Sequence, residues 1–523
     1  MKKKITIFIF LLQICFLHSQ TIFQKIFIGP NADYIYSAQQ TPDGGYILCG
    51  TRQIDTLTGN SDAFLIKTNA TGDTLWTKTY GGPGTDYGEC ARRTSDGGYI
   101  FVGISNSFGA GVEDVYVIKT NSTGDTLWTK TQGTVNGDLG LTIEPTTDGG
   151  YIIAGHTESN GAGKGDFYCM KLNASGDTVW TKTYGGSKHD HAFCGIQTND
   201  GGYIFAGHSV SFGGPNGGFY AVKTDAGGDT LWTRVYGGLT DSYCYSVIQT
   251  ADGGYAFAGY TDCFGAGATD FYIVKTNANG DTLWTKTYGG TLDDYSSCIR
   301  QTTDGGYIIS GTTNSFGSGF ADVLLIKTNA SGDTLWTKTF GGTGSESGFS
   351  VVQTSDGGYL VAGASTSFSN GNYDAYLITT DANGNIGCMQ GNSHIVIKKP
   401  ATLVSSTVTQ MIPPQTFSNS TQSNVLSGMD TYDVCGSIGI HEITNDLIRV
   451  YPNPTQGFVA ITIDAGMSEM KVKITNTLGT LIYFNEVQKP FSQIDLCAQP
   501  SGIYLLQVMQ DGKIHNGKIL VNK

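Results

Sequence analysis

The sequence predicts an all-β chain: a seven-bladed β-propeller, then a linker and a small carboxyl-terminal β-sandwich. Asp-Gly-Gly-Tyr recurs with Tyr at 46, 99, 151, 203, 255, 307 and 359, a first step of 53 residues and then steps of 52. All six Trp (Trp76, Trp128, Trp180, Trp232, Trp284 and Trp336) hold one phase, 52 residues apart. A fixed period near 50 marks stacked repeats, none of which can bury its apolar face alone. Composition agrees. The 523 residues include 74 Gly but only 14% charged residues, which leaves few good helix interiors and few i,i+4 ion pairs. The 39% hydrophobic content is too high for a disordered chain.

Each period reads as four strands, A to D. Around Tyr151 they are Tyr151 to His156 (B), Asp166 to Leu172 (C), Thr178 to Tyr184 (D), and Phe193 to Thr198 (A of the next copy), all rich in β-branched and aromatic residues. Asp-Gly-Gly makes the A–B turn, since Gly accepts the positive φ that a tight hairpin needs. Asn173-Ala174-Ser175-Gly176-Asp177 makes a longer C–D turn. Four strands in 52 residues is one propeller blade. Phe23, in Phe-Gln-Lys-Ile-Phe, lies 53 before Trp76 and imitates strand D, so Phe23 to Ile28 can complete the last blade; Asn385 to Gln390 competes for that place. Either way the count is seven. A WD-type propeller is excluded by the longer period and the missing Trp-Asp signature.

The net charge of −13 argues against nucleic acid, which demands a basic surface. Residues 1–19 read as a signal peptide: Met1 to Lys4 are basic, and Ile5 to Leu17 form an apolar run too short to span a bilayer. A lipoprotein anchor at Cys15 is disfavoured by Ile14 before it. No later stretch reads as a transmembrane helix. The propeller is assigned to 20–391, a Ser/Thr/Asn-rich linker to 392–444, and the last domain to 445–523.

That last domain carries Tyr451-Pro452-Asn453-Pro454, Gly457, Gly502-Ile503-Tyr504 and a closing strand through Lys518 to Lys523. It resembles the type A sorting domain of the type IX secretion system of Bacteroidota. The resemblance implies a small β-sandwich that engages the secretion machinery and is then removed, leaving the cargo secreted or on the outer cell surface. Cys497 departs from the small polar residue usual there. The Trp-bearing hairpins, such as Lys327 to Trp336, look like the tryptophan-docking motif of quinoprotein-type propellers, and the repeats are similar to bacterial exported β-propeller repeats. Both resemblances speak to architecture, and the Trp read as packing between blades.

Of eleven Cys, Cys90, Cys194 and Cys298 share a repeat phase two blades apart, and most read as small buried hydrophobes. Cys388 and Cys435 bracket the linker and are a possible disulfide. No CxxC is present.

Strand direction places the repetitive A–B and C–D turns on one face and the variable D–A and B–C loops on the other, which is the expected ligand face. There His156 and His208 share a phase, and His189, Asp190 and His191 lie between them. His189 and His191 are candidate zinc ligands, with solvated loop histidines as the alternative. Phe108, Phe264 and Phe316 are candidates for stacking on sugar rings, or for closing the blade edge. Asp114, Asp166, Asp270, Asp322 and Asp374 share a phase in Gly-rich loops; calcium is one reading and turn capping the simpler one. No cofactor is demanded. G-x-S-x-G, Walker and HExxH motifs are absent, and no catalytic residue stands out. The expected function is a non-catalytic surface or secreted module binding glycan or protein. The alternatives are a polysaccharide hydrolase or lyase, or a structural surface component.

Overall fold

A computed structural model describes residues 21–55, 58–369, 372–386 and 390–391. Beyond these it describes 396–398, 403–405, 418–419, 430–433, 448–451, 458–463, 470–476, 481–487, 491–496, 499–500, 502–510 and 513–521. The signal-peptide assignment, Cys388, Cys435 and Cys497, and the sorting residues Pro452, Asn453, Pro454, Gly457 and Lys523 lie outside the described residues. The chain divides into two units, Met1–Gly436 and Ser437–Lys523.

The first unit is a seven-bladed propeller. Seven antiparallel sheets follow one another along the chain, each with strands in the order A-B-C-D. Blade one runs Asp33–Gln40, Tyr46–Gln53, Ser61–Thr68 and Thr74–Tyr80. The first glycine of each Asp-Gly-Gly takes the positive φ of a tight turn, as in Gly149 at 81°. Strands B and C are buried along nearly their whole length, because each is flanked by sheets on both faces.

The ring is closed by the chain's own first strand. Phe23–Ile28 lies antiparallel to strand C of the last blade, Asp374–Thr380, with Phe23 opposite Thr379 and Phe27 opposite Ala375. Phe23, Phe27, Leu360 and Leu377 of this blade share a core with Ile35, Leu48 and Phe64 of blade one. The rival segment has another place: Gln390–Gly391 pairs with Thr334–Phe340 as a fifth strand of blade six.

Further short strands from the region read as a linker do the same. Val396–Lys398 pairs with Thr282–Gly289, and Leu403–Ser405 pairs with Thr230–Gly237. Ser418–Asn419 pairs with Thr126–Gln132, and Asp430–Asp433 pairs with Phe23–Ile28. The described segments thus visit the outer edges of blades six, five, four, two and seven in turn. They are extended, as the Ser/Thr-rich composition suggests, but the backbone ladder of strand D holds them.

Adjacent blades dock through the Trp hairpins. Trp180 lies over Gly228 of the next blade's C–D turn, where an added Cβ would come within 3.2 Å of the ring. Its Nε1 donates to the Ala226 carbonyl at 3.3 Å, and Lys182 Nζ reaches Asp229 at 3.1 Å. The buried Tyr184 hydroxyl donates to the Gly228 carbonyl at 2.6 Å. Tyr80, Tyr236 and Tyr288 repeat that bond. Replacing Tyr184 by Phe removes one such bond and strands a carbonyl. A loss of about 1–2 kcal/mol is expected in denaturant unfolding; an unchanged midpoint would show that these bonds add nothing to docking.

The second unit has two antiparallel sheets. One comprises Ile448–Tyr451, Phe458–Ile463 and Phe491–Asp495; the other comprises Met470–Asn476, Leu481–Val487, Gly502–Gln510 and Lys513–Val521. Val472, Ile474, Tyr504, Leu506, Ile519 and Val521 of the second sheet share a core with Ile494 of the first. Tyr451, Gly502, Ile503, Tyr504 and Lys518 all fall on these strands.

Candidate ligand channel

Strand A, the innermost of each blade, is bulged at the same point in all seven copies. In blade one Ile35 pairs with Gly50 and Ser37 with Cys49, leaving Tyr36 between them as the extra residue. The equivalent residues are Glu89, Leu141, Phe193, Tyr245, Ser297 and Phe349. A bulge re-aims its side chain, and all seven of these residues line one cavity of about 590 Å³. The bulge has a partner requirement. A Cβ on Gly50 would fall 1.7 Å from the Tyr34 carbonyl oxygen, and the matching contact at Gly259 is 1.8 Å from Tyr243. The Gly repeated in every strand B is therefore the counterpart of the channel residue in strand A.

The wall is aromatic on most sides. Tyr36 and Phe349 approach to 5.2 Å between ring centroids, Phe193 and Tyr245 to 4.7 Å, and Tyr260 and Tyr295 to 5.0 Å. Tyr260 and Thr312, near the ends of their B strands, and Tyr295, near the start of its A strand, extend the lining toward the D–A/B–C face. Next along strand A comes a ring of small polar side chains, Ser37, Cys90, Thr142, Cys194, Ser246, Cys298 and Ser350. Two residues beyond these, Arg92 binds Glu144 through Nε at 2.8 Å and Nη2 at 2.7 Å. Arg300 donates to the neutral Ile299 carbonyl at 2.8 Å and Ser246 Oγ at 3.4 Å, with no carboxylate partner among the described residues.

Glu89 stands apart. Its side chain keeps some surface open to the channel, yet the surrounding wall desolvates the carboxyl and pushes its pKa up to about 7. Among the described residues it makes no hydrogen bond or ion pair. Burial, then the Glu89 charge, raises the neighbouring Tyr36 phenol in turn.

The histidines expected on the loops lie mainly in strands. His156 is in Tyr151–Thr157 and His208 in Tyr203–Ser209; Asp190 and His191 open Asp190–Gln197. Only His189 stays outside, bridged to Gly165. The rings of His156 and His191 stack at 4.1 Å and 16°, which keeps their nitrogens in parallel planes instead of aiming them at one point. His189 is edge-on to His191 at 5.8 Å. Burial, then its histidine neighbours, lowers His156 to about 3. His208 stacks on Tyr243 at 3.9 Å and contacts the Ser242 carbonyl through Nδ1 at 3.0 Å. Asp190 accepts from Gly186 N at 2.7 Å and Ser211 Oγ at 2.6 Å. Among the described residues no three His, Cys, Asp or Glu side chains converge as a metal site would require.

The loop phenylalanines are half-buried. Phe108 packs on Tyr116 at 5.5 Å and Phe264 on Tyr272 at 5.9 Å. The tip of Phe316 covers Gly290, where a Cβ would sit 2.8 Å from it. Asp114 Oδ2 accepts from the Ala110 and Gly111 amides at 3.0 and 3.2 Å, and Asp270 Oδ2 does the same for Ala266 and Gly267; these are turn caps. The described cysteines Cys49, Cys90, Cys169, Cys194, Cys244, Cys263 and Cys298 are free thiols.

Residues 449–522 match the family model described as the secretion system C-terminal sorting domain. The chain is a type IX secretion cargo. This cargo is therefore exported to the cell surface or released, and no helix among its described residues is long and apolar enough to cross a membrane. Its residues 68–259 match the model described as outer membrane protein assembly factor BamB. No curated protein matches the cargo. Among solved structures it is similar to Sqt1 from Chaetomium thermophilum, at 11% identity over 70% of this chain and 100% of that one, with a TM-score of 0.40. It is also similar to PorZ of Porphyromonas gingivalis, described as an essential bacterial surface component of the type-IX secretion system. That likeness is at 11% identity over 96% and 100%, with a TM-score of 0.22. Both are too loose to bear on function.

Proposed function

We propose that the exported propeller is a surface or secreted binding module that takes a glycan in its central channel, entered from the D–A/B–C face. The observation that carries this is the ring of bulge residues. Strands B, C and D repeat closely from blade to blade, whereas the residue sent into the channel differs in kind: two Tyr, two Phe, one Leu, one Ser and one Glu. Aromatic faces stack on the apolar faces of sugar rings, while Glu89, Ser297 and the small polar ring supply hydrogen-bond partners for hydroxyls. Affinity electrophoresis of the exported chain through gels cast with a polysaccharide panel tests it. Retardation is expected, falling about tenfold or more in affinity in Phe193→Ala with Tyr245→Ala. No retardation on any glycan, or retardation untouched by the double substitution, overturns the reading.

One observation favours a second reading. A carboxyl held near neutrality in an apolar wall is suited to general acid catalysis, so Glu89 supports a polysaccharide hydrolase or lyase. Reducing ends released from a retarding glycan, and lost in Glu89→Gln, would select that reading over simple binding.

A further inference from the structure

The seventh residue of strand A, two beyond the polar ring, is charged in three blades: Arg92, Glu144 and Arg300. All three line the channel. They lie toward the A–B turns, so a glycan entering from the D–A/B–C face passes the aromatic wall before it meets them.

Arg92 and Arg300 hold the same pose. Each sits at the same register in its sheet, Arg92 opposite Ile100 and Arg300 opposite Ile308. Each Nη1 donates to the carbonyl of the residue before it, Ala91 or Ile299, at 2.8 Å. Each also reaches the polar-ring serine of the preceding blade, Ser37 Oγ at 3.0 Å and Ser246 Oγ at 3.4 Å. What differs is the blade that follows. Fifty-two residues beyond Arg92 stands Glu144, and fifty-two beyond Arg300 stands Val352. Glu144 Oε1 takes Arg92 Nε at 2.8 Å and Nη2 at 2.7 Å. Val352 instead packs against the core shared by blades seven and one.

Arg300 is thus a copy of Arg92 with its acid removed. The Nε–Nη2 edge that Arg92 gives to Glu144 has no carboxylate partner in Arg300 among the described residues. Glu144 is engaged by Arg92. A guanidinium is always charged, and this one is half-buried in the channel wall. Charge-assisted hydrogen bonds to an anionic oxygen are roughly twice as strong as neutral ones, so the group that satisfies Arg300 best is a carboxylate.

We propose that the glycan is acidic and that Arg300 holds a uronate carboxylate of the sugar chain, as Arg92 holds Glu144. This deepens the glycan-binding reading and rests on it: the aromatic wall takes the sugar faces, and the guanidinium selects for charge. The chain's net charge of −13 repels polyuronates, so their selective capture requires a local cation of this kind. Affinity electrophoresis of the exported chain at pH 7 through polygalacturonate, alginate and hyaluronate, each beside its carboxyl-reduced form, tests it. At least one acidic polymer is expected to bind about tenfold or more tighter than its reduced form. Arg300→Gln is expected to remove that preference and to keep whatever affinity the reduced form shows. Val352→Glu copies blade three, satisfies Arg300 from within and is expected to remove the preference as well; matched melting midpoints establish that both variants fold. Retardation by neutral glycans alone, equal retardation by acidic and reduced forms, or a preference that survives Arg300→Gln overturns this inference and leaves the glycan reading standing. No retardation by any glycan overturns both. Retardation by polyglutamate alone, lost in Arg300→Gln, would assign the guanidinium to an acidic protein and also overturn the uronate.

Discussion

Replacing Gly259 by Ala is expected to destabilise the propeller by roughly 3–5 kcal/mol, the range of severe core disruptions. The added Cβ would stand 1.8 Å from the Tyr243 carbonyl oxygen and within 3.0 Å of Cys244 Cα, all backbone atoms or fixed to them. No rotamer change relieves such a clash, so the bulge in strand A must flatten or the two strands must part. Flattening shifts the register by one residue and turns the bulge side chain away from the channel. Urea unfolding of the exported chain measures the loss, and Gly253→Ala is the contrast. Gly253 has a positive φ of 81° but nothing within 4 Å of an added Cβ, so only the backbone penalty applies, about 1 kcal/mol. Equal effects at the two sites would show that the bulge is not what demands Gly259.

Glu89→Gln is expected to stabilise the chain at pH 8 and to leave it unchanged near pH 4. The folded carboxyl titrates at about 7 and its reference value is 4.5, so between these values the native state holds a proton that the unfolded state has released. Stability therefore falls as pH rises through that window, and the full penalty, at most about 3 kcal/mol, persists above it. Glutamine has no such proton to lose. The difference between the two proteins, followed by thermal unfolding from pH 4 to 8, isolates this group from every other titration. A difference that stays flat with pH would place Glu89 in ordinary solvent and remove it from the channel's chemistry.

The sequence displayed the architecture because each architectural element leaves a side-chain mark. Trp180 must cover a glycine in the next blade, and Gly149 must take a positive φ, so both recur at a fixed phase. The channel was harder to see. A bulge is an offset in pairing, and Tyr36 or Glu89 reads along the chain as one more strand residue. The clue present was indirect: a Gly at 50, 103, 155, 207, 259, 311 and 363 inside otherwise apolar strands, facing the most variable strand of the repeat. Attention to loop variability instead led to His189, His191 and Phe108, of which His191 and Phe108 are occupied with packing against His156 and Tyr116. The five added edge strands left no mark at all, because a backbone ladder makes no demand on side-chain identity.

Those edge strands bear on how the protein behaves when crowded. An outermost strand with free amides and carbonyls is a template on which a neighbouring molecule can add a strand of its own. A ring closed by its first strand carries a second hazard, since that strand can leave and complete the ring of another copy. Here Phe23–Ile28 is held on both sides, by Asp374–Thr380 and by Asp430–Asp433, so its exchange requires two ladders to open at once. The same stretch of chain thus discourages fibre-like stacking and strand trading, which suits a molecule that is exported to the cell surface or released.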